Sequence, residues 1–426
     1  MTTSDSRSST RMPMAVWVLT LSAFAIGTAE FVIAGILLQV AQSLGITDGA
    51  AGHLITAYAL AIVIGGPILT IYLARFDRKR VLIGLMVLFT VGNLVSANTQ
   101  DYGVLLISRV VTGLAQGPFY GIGAVVATRM VSQAMAGRAV GQMFAGLTLA
   151  NVLGVPAGAW IGNAYGWSAT FWAVALLGVG AIAAIAALVP HIAAEKVESV
   201  AAQLGAFRNR QLWLSLAITM FGWTGFMTFY GYISPVAQHA VGMPAQGVTG
   251  LLVAVGAGLV AGNAIGGRAA DANLRLALLG GVTAMIASLV LVGWSTSHVT
   301  AFVIASVVFG IASFANVPPM QMRVMHHAGN APELAATANI SAFNIANALG
   351  GTIGGFAVDH PAMGAAMVPF LAAIVPMAGL GLIALAERAA RKASLCRADR
   401  ADRALAAGAS NACSAAADAS CAGRPG

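Results

Sequence analysis

Charge is what the chain has least of. Of 426 residues only 8% are Asp, Glu, Lys or Arg, and 58% are hydrophobic; an average soluble domain carries about 25% charged residues. This excludes a soluble globular protein and indicates an all-α polytopic membrane protein. Cysteine is nearly absent as well. Cys396, Cys413 and Cys421 all lie in the C-terminal stretch, so no disulfide staples the apolar region and no cysteine spacing suggests a metal site. The apolar segments hold no Ser/His/Asp set, no paired carboxylates and no metal-ligand cluster, which argues against an enzyme. His326-His327 has no further ligands nearby to make a metal site. The first apolar segment is too long for a signal peptide and contains an acid. The net charge of +8 is not a nucleic-acid signal; in a membrane protein the question is where the basic residues sit.

What is present is glycine, 50 residues of it, which suits close helix packing in lipid, and a succession of long apolar runs. Twelve transmembrane helices are expected, near 14–38, 50–74, 80–98, 103–127, 138–161, 167–190, 212–238, 247–270, 275–295, 299–320, 334–357 and 363–388. They group as a cytoplasmic N-terminus (1–13), a six-helix half (14–190), a cytoplasmic linker (191–211), a second six-helix half (212–390) and a disordered cytoplasmic tail (391–426). Except for Arg109, the 22 Lys and Arg residues fall in the termini, the linker and the loops on one side; the opposite loops carry Asp48, Asp101 and Asp359. By the positive-inside rule both termini are cytoplasmic.

An internal repeat supports two pseudo-symmetric halves. At an offset of 196, Ala150-Asn-Val-Leu-Gly154 matches Ala346-Asn-Ala-Leu-Gly350, Gly158 matches Gly354 and Gly66 matches Gly262. Parallel halves with a substrate site between them are the arrangement of major facilitator transporters.

Two charges lie inside spans. Glu30 is about 12 Å from the outer end of span one and Arg109 about 9 Å from that of span four at helical rise, so they sit at similar depth. A charge in that position is costly and is read first as functional. The functional reading is a protonatable acid tuned by a nearby cation; the alternative is a permanent ion pair that orders helices one and four. At the repeat offset Phe226 and Ala305 replace them. Arg109, Gly113, Gln116 and Tyr120 form one polar helix face, lining a cavity or bonding neighbouring helices. Span five carries Gly146, Ala150, Gly154, Gly158 and Gly162 at steps of four, a close-packing face. Asn344 and Asn347 either bind substrate or bond neighbouring helices. The aromatic span seven, with Phe221, Trp223, Phe226, Phe229, Tyr230 and Tyr232, suits a lipophilic substrate if one or two rings face the cavity. The cavity candidates are therefore Gln116, Tyr120, Asn151, Phe226, Tyr230, Asn344 and Asn347.

Four stretches carry a family resemblance: Ile26-Gly-Thr-Ala-Glu-Phe-Val-Ile-Ala-Gly35, Ala74-Arg-Phe-Asp-Arg-Lys-Arg-Val-Leu82, Ser108-Arg-Val-Val-Thr-Gly-Leu-Ala-Gln-Gly117 and Ala150-Asn-Val-Leu-Gly-Val-Pro-Ala-Gly158. Over about 14–388 the chain resembles major facilitator superfamily transporters of the drug:proton antiporter type, nearest to arabinose-efflux-permease-like and chloramphenicol-efflux-like bacterial exporters. The resemblance implies rocker-switch export driven by proton entry, with Arg109 as the basic residue of the helix-four motif. It also implies an antiporter motif at Gly154, Pro156 and Gly158, and a gating loop with Arg75, Asp77 and Arg78. Arg75 stands where the family usually has an acid, and Val155 separates Gly154 from Pro156. The C-terminal copy, Gly267 to Asp271 with Arg275, keeps the usual spacing better, so the gating ion pair is expected to rest more with Asp271 than with Asp77.

The expectation is a monomeric, proton-coupled exporter of small lipophilic compounds in a bacterial-type inner membrane, without a cofactor beyond the proton gradient. Its partners are a small-molecule substrate, protons and the bilayer, with no nucleic acid. Protonation of Glu30 from outside would favour an inward-facing state. Sugar or metabolite efflux, uptake symport, and more remotely a membrane receptor or enzyme on the same scaffold, are the alternatives.

Overall fold

The computed structural model describes residues 12–73, 75–132, 135–193, 208–328, 332–386 and 388. The expected tail (391–426), most of the N-terminus and most of the linker lie outside the described residues. Residues 1–380 form one compact unit and 381–426 a second, of which the end of the last helix is described.

Ten helices among the described residues are long and apolar enough to cross a membrane. One of them, Ala245–Ser297, has 53 residues, about 80 Å at helical rise, more than twice a hydrocarbon core. It breaks at Asn273, whose backbone is extended (φ −161°, ψ 98°) and whose Oδ1 accepts from the Leu276 N–H at 3.0 Å. Asn273 thus caps a new helix, and the run is two spans. The helix Pro332–Asp359 adds one more, giving twelve traverses.

In order the spans are Met14–Phe31 continued by Ile33–Leu44, Asp48–Leu73, Arg78–Asn98, Tyr102–Arg129, Ala136–Tyr165, Trp167–Leu188, Arg210–Tyr230, the two parts of Ala245–Trp294, Val299–Phe314 continued by Val317–His326, Pro332–Asp359 and Ala365–Ala386. The first span runs beyond Leu38 to Leu44, where Gly45 ends it in the left-handed conformation (φ 63°), as glycine does at helix C-termini. Glu30 is therefore deeper than the sequence suggested. Acids and amides in the loops start helices: Asp77 accepts from Arg80, Asp101 from Val104 and Asn209 from Gln211, all through backbone N–H groups.

The spans pack through small residues, because between helices in lipid close van der Waals contact replaces the hydrophobic drive. A methyl at Gly154 would strike Thr28 and one at Gly158 would strike Val32; a methyl at Gly350 would meet the backbone of Thr224 and Thr228, and one at Gly354 the Thr228 carbonyl. The first–fifth and seventh–eleventh pairs thus share one packing at the offset of 196.

The same symmetry recurs where the first six spans meet the last six. Asn163 donates to the Ala245 carbonyl (3.2 Å) and to Thr249 Oγ1 (3.3 Å). Asp359, 196 positions later, accepts from the Gly49 N–H (2.9 Å) and the Thr47 hydroxyl. Asp48 pairs with His239 at 3.4 Å. These contacts close the end that carries Asp48, Asp101 and Asp359. Further along the fifth and eighth spans Gly256 still packs on Val152, but a methyl at Gly141, Gly137 or Gly267 meets no atom within 4 Å among the described residues. The seam is shut at this end, and toward the basic end the fifth and eighth spans leave open space beside these glycines.

Candidate functional site

At the inner end of that seam five side chains from five spans make one hydrogen-bonded chain. Glu30 is 7% exposed. Gln116 Nε2 donates to its Oε2 at 2.7 Å, and Asn347 Nδ2, from the eleventh span, to its Oε1 at 3.3 Å. Behind Gln116 stands Tyr58, whose hydroxyl donates to Gln116 Oε1 at 2.6 Å. Behind Asn347 stands Trp223, whose indole N–H donates to Asn347 Oδ1 at 3.0 Å. Both arms aim donors at the carboxylate, the arrangement that satisfies its acceptor-only charged form. Small residues make the approach possible: the helix carrying Glu30 lies against Ala150 and Gly154 through Gly27 and Thr28.

Arg109 is fully buried but does not serve as the hydrogen-bond donor to Glu30. Its Nη2 donates to the Ala29 carbonyl at 2.9 Å, and its guanidinium lies 4.2 Å from the Tyr58 ring centroid and 6.0 Å from that of Phe171, a favourable cation–π geometry. Its Nε and Nη1 have no hydrogen-bond partner among the described residues. The cation therefore acts on the acid through its field and through the backbone one residue away, not through a direct bridge.

The remaining cavity candidates divide. Phe226 and Tyr230 stack at 4.9 Å, Trp223 stacks on Phe226 at 4.4 Å, and Tyr230 meets Phe31 edge-on at 6.4 Å. This aromatic wall reaches from the acid's neighbour into the second half. Tyr120 stacks on Phe144 at 5.2 Å, with its hydroxyl donating to the Ala23 carbonyl at 3.4 Å; it belongs to the interior of the first six spans. Asn151 and Asn344 donate to carbonyls of their own helices, Leu147 and Ile340.

Among the gating candidates, Arg75 lies over the rings of Tyr72 and Phe76. Arg78 is buried and its N–H donates to the Ile192 carbonyl. Asp77 caps the third span and meets His191 Nδ1 at 3.2 Å. Gly267, Asp271 and Arg275 flank the kink at Asn273. The stretch Ala150–Gly154 is a π-helical turn directly before Val155 and Pro156. Such a turn holds one residue more than an α turn, and π turns cluster at functional sites. Gly154 and Gly158, at its end and just beyond, lie on the face that packs against Thr28 and Val32.

Sequence reasoning missed the part played by Tyr58 and Trp223. A signal existed for Trp223: an indole N–H within a membrane span needs an acceptor.

A twelve-span helical bundle with a buried acid between two repeated halves is the architecture of a multi-pass membrane transporter. The family model described as Major Facilitator Superfamily matches residues 19–355, and the chain belongs to that superfamily. It is 40% identical over 374 residues to the inner membrane transport protein YdhP of Escherichia coli (strain K12), covering 88% of this chain and 95% of that one. It is 30% identical over 358 residues to a chloramphenicol resistance protein of Streptomyces lividans, covering 82% and 90%. The crystal structure of a D-xylose-proton symporter shares the fold, with a TM-score of 0.72 at 16% identity over 86% of this chain and 96% of that one.

Proposed function

We propose that the chain is a proton-coupled secondary active transporter that exports small lipophilic compounds by alternating access. The observation that carries this reading is Glu30. It is a buried carboxylate held from both halves by Gln116 and Asn347, beside an aromatic wall of Trp223, Phe226 and Tyr230. A group that takes a proton and is bonded to both moving bodies can link proton binding to their reorientation. The aromatic cluster and the Nε and Nη1 donors of Arg109 are buried here; on opening of the seam they would offer a lipophilic substrate apolar contact and polar recognition. The Streptomyces relative is named for resistance to chloramphenicol, which supports a drug-like compound as the substrate class. In this reading the basic end is cytoplasmic, the chain acts as a monomer in an inner membrane, and Glu30 with Arg109 forms the coupling site.

The test is flux into or out of proteoliposomes under an imposed pH gradient, with chloramphenicol as the first probe, beside a sensitivity screen of drugs and sugars in overexpressing cells. Export against an inward proton gradient that disappears in Glu30→Gln supports the reading. Gradient-driven transport undiminished in Glu30→Gln removes the acid from the mechanism. Movement of substrate in the same direction as protons makes the protein a symporter.

A further inference from the structure

The two arms that hold Glu30 differ in what they can do when the acid takes a proton. On the near side, Tyr58 donates to Gln116, but a hydroxyl accepts as readily as it donates. The Gln116 amide can therefore turn over and accept a hydrogen bond from a protonated Glu30. On the far side the amide has no such freedom. The Trp223 indole nitrogen only donates. Its ring is held by Phe226 at 4.4 Å, by Phe343 edge-on at 5.2 Å and by Phe314 at 5.6 Å. Asn347 must keep Oδ1 toward Trp223 and Nδ2 toward Glu30.

Resting on the reading of Glu30 as the coupling group, we infer that Trp223 and Asn347 form a lock that holds the two halves together at the closed end while Glu30 is charged and the carrier is empty. The bond from Asn347 crosses from one half to the other. It lies one residue from the seam contact of Thr56 Oγ1 with the Ala348 carbonyl, at 3.3 Å. When Glu30 takes a proton, the near-side bonds reverse, Glu30 donating to Gln116 Oε1 and Gln116 Nε2 to the Tyr58 hydroxyl, while the cross-half hydrogen bond changes from charge-assisted to neutral and roughly halves in strength. A substrate that bonds Glu30 displaces Asn347 outright. Ionisable groups whose fields reach Glu30 are Arg109, Tyr58 and Tyr120, on the second and fourth spans; from the other half it is the neutral amide of Asn347 that meets it. Asn347 is thus a sensor of the acid's charge, and Trp223 is the positioning residue that keeps the sensor oriented.

Exchange requires such a lock. A carrier that reorients while empty and unprotonated lets its substrate slip back. One that reorients only with a proton or a substrate bound exchanges the two. A ligand shifts the equilibrium only through its different affinity for the two states, and the difference here is the strength of one cross-half bond.

The test needs no substrate, only protons. In full-length protein with Cys396, Cys413 and Cys421 changed to Ala, spin labels at Gln100→Cys and Ser297→Cys report the width of the closed end in lipid nanodiscs. Between about pH 9 and about pH 5 the ratio of closed to open distances is expected to fall about tenfold, the size of a charge-assisted bond's advantage over a neutral one. Glu30→Gln should hold the low-pH ratio throughout. Trp223→Phe, which keeps the ring and removes the N–H, and Asn347→Ala should each cut the pH step to about twofold or less. A flat response in Glu30→Gln with a full step in both Trp223→Phe and Asn347→Ala overturns the lock and leaves the coupling role of Glu30 standing. A full step in Glu30→Gln overturns that role as well. No step in the parent protein overturns both.

Discussion

The two halves are built alike and chemically opposed. Residues 28 and 154 in the first six spans pack as residues 224 and 350 do in the last six, and the seam contact of Asn163 with Ala245 is mirrored by that of Asp359 with Gly49. Yet at the offset of 196 Glu30 becomes Phe226, Arg109 becomes Ala305, Gln116 becomes Ala312 and Tyr58 becomes Ala254. Backbone approach sets the repeated positions, and chemistry sets the divergent ones. The pair Asn151 and Asn347 shows the divide within one residue type. Asn151 bonds its own helix at Leu147, whereas Asn347 reaches Glu30 because Trp223, in place of Gly27, turns its amide.

The largest expected effect comes from forcing the chemistry of one half on the other. Phe226→Glu would put a carboxylate among Trp223, Tyr230, Phe309 and Phe314 with no donor built for it. An uncompensated buried charge costs about 3–5 kcal/mol, so a large drop in thermal midpoint in detergent is expected at pH 8, partly recovered at pH 5 as the group neutralises. A midpoint within 2 °C of the parent's, on the order of the shift expected for a small perturbation, would mean that the position is wetter than the aromatic contacts indicate.

Next in size is a methyl group. Gly146 corresponds to Ala342, and the second half already carries the methyl that the first excludes, because a Cβ at Gly146 would strike the Thr20 carbonyl. Gly146→Ala should destabilise by about 1–3 kcal/mol through overpacking. Gly267→Ala, which meets no described atom within 4 Å, should be neutral or gain up to ~1 kcal/mol from helix propensity. Unfolding midpoints of the two variants in the same detergent decide it. Asp359→Asn should come third. It replaces a carboxylate on the Gly49 N–H and Thr47 hydroxyl by an amide like its counterpart Asn163, at a cost of about 1 kcal/mol. Labelling of a cysteine at Thr352 from the closed end should rise in this variant.

The spans, the break between the eighth and ninth of them and the repeat were legible because they rest on composition and spacing, which a single sequence states directly. The packing glycines were legible for the same reason. The site was legible only in part. Glu30 stood out because a charge in an apolar run has no cheap explanation. Its partners did not: Gln116 and Asn347 lie 86 and 317 positions away, and nothing local says which amide among several will converge. Arg109 was paired with Glu30 by depth alone. Depth cannot distinguish a direct bridge from a guanidinium spent on a ring and the Ala29 carbonyl.

The smallest effect concerns the basic end, where the two halves also part company. The first half caps its third span with Asp77; the second caps its ninth with Asn273, which cannot titrate. Desolvation pushes the Asp77 carboxyl up, but the Arg80 N–H, the His191 hydrogen bond and the fields of His191 and Arg80 together outweigh it and hold the group below its ordinary value of 3.8. A depressed carboxyl contributes stability that is present above the unfolded value and lost as pH falls through the folded one. The cap at Asp77 should therefore weaken only below about pH 4, and Asp77→Asn should flatten that part of the stability profile while leaving neutral pH nearly unchanged. His191→Ala should move the loss to slightly higher pH, because one of the contacts holding the carboxyl down is gone. Thermal midpoints from pH 3 to pH 7 for the parent and both variants measure this, and a profile in His191→Ala identical to the parent's would assign the whole depression to the helix cap.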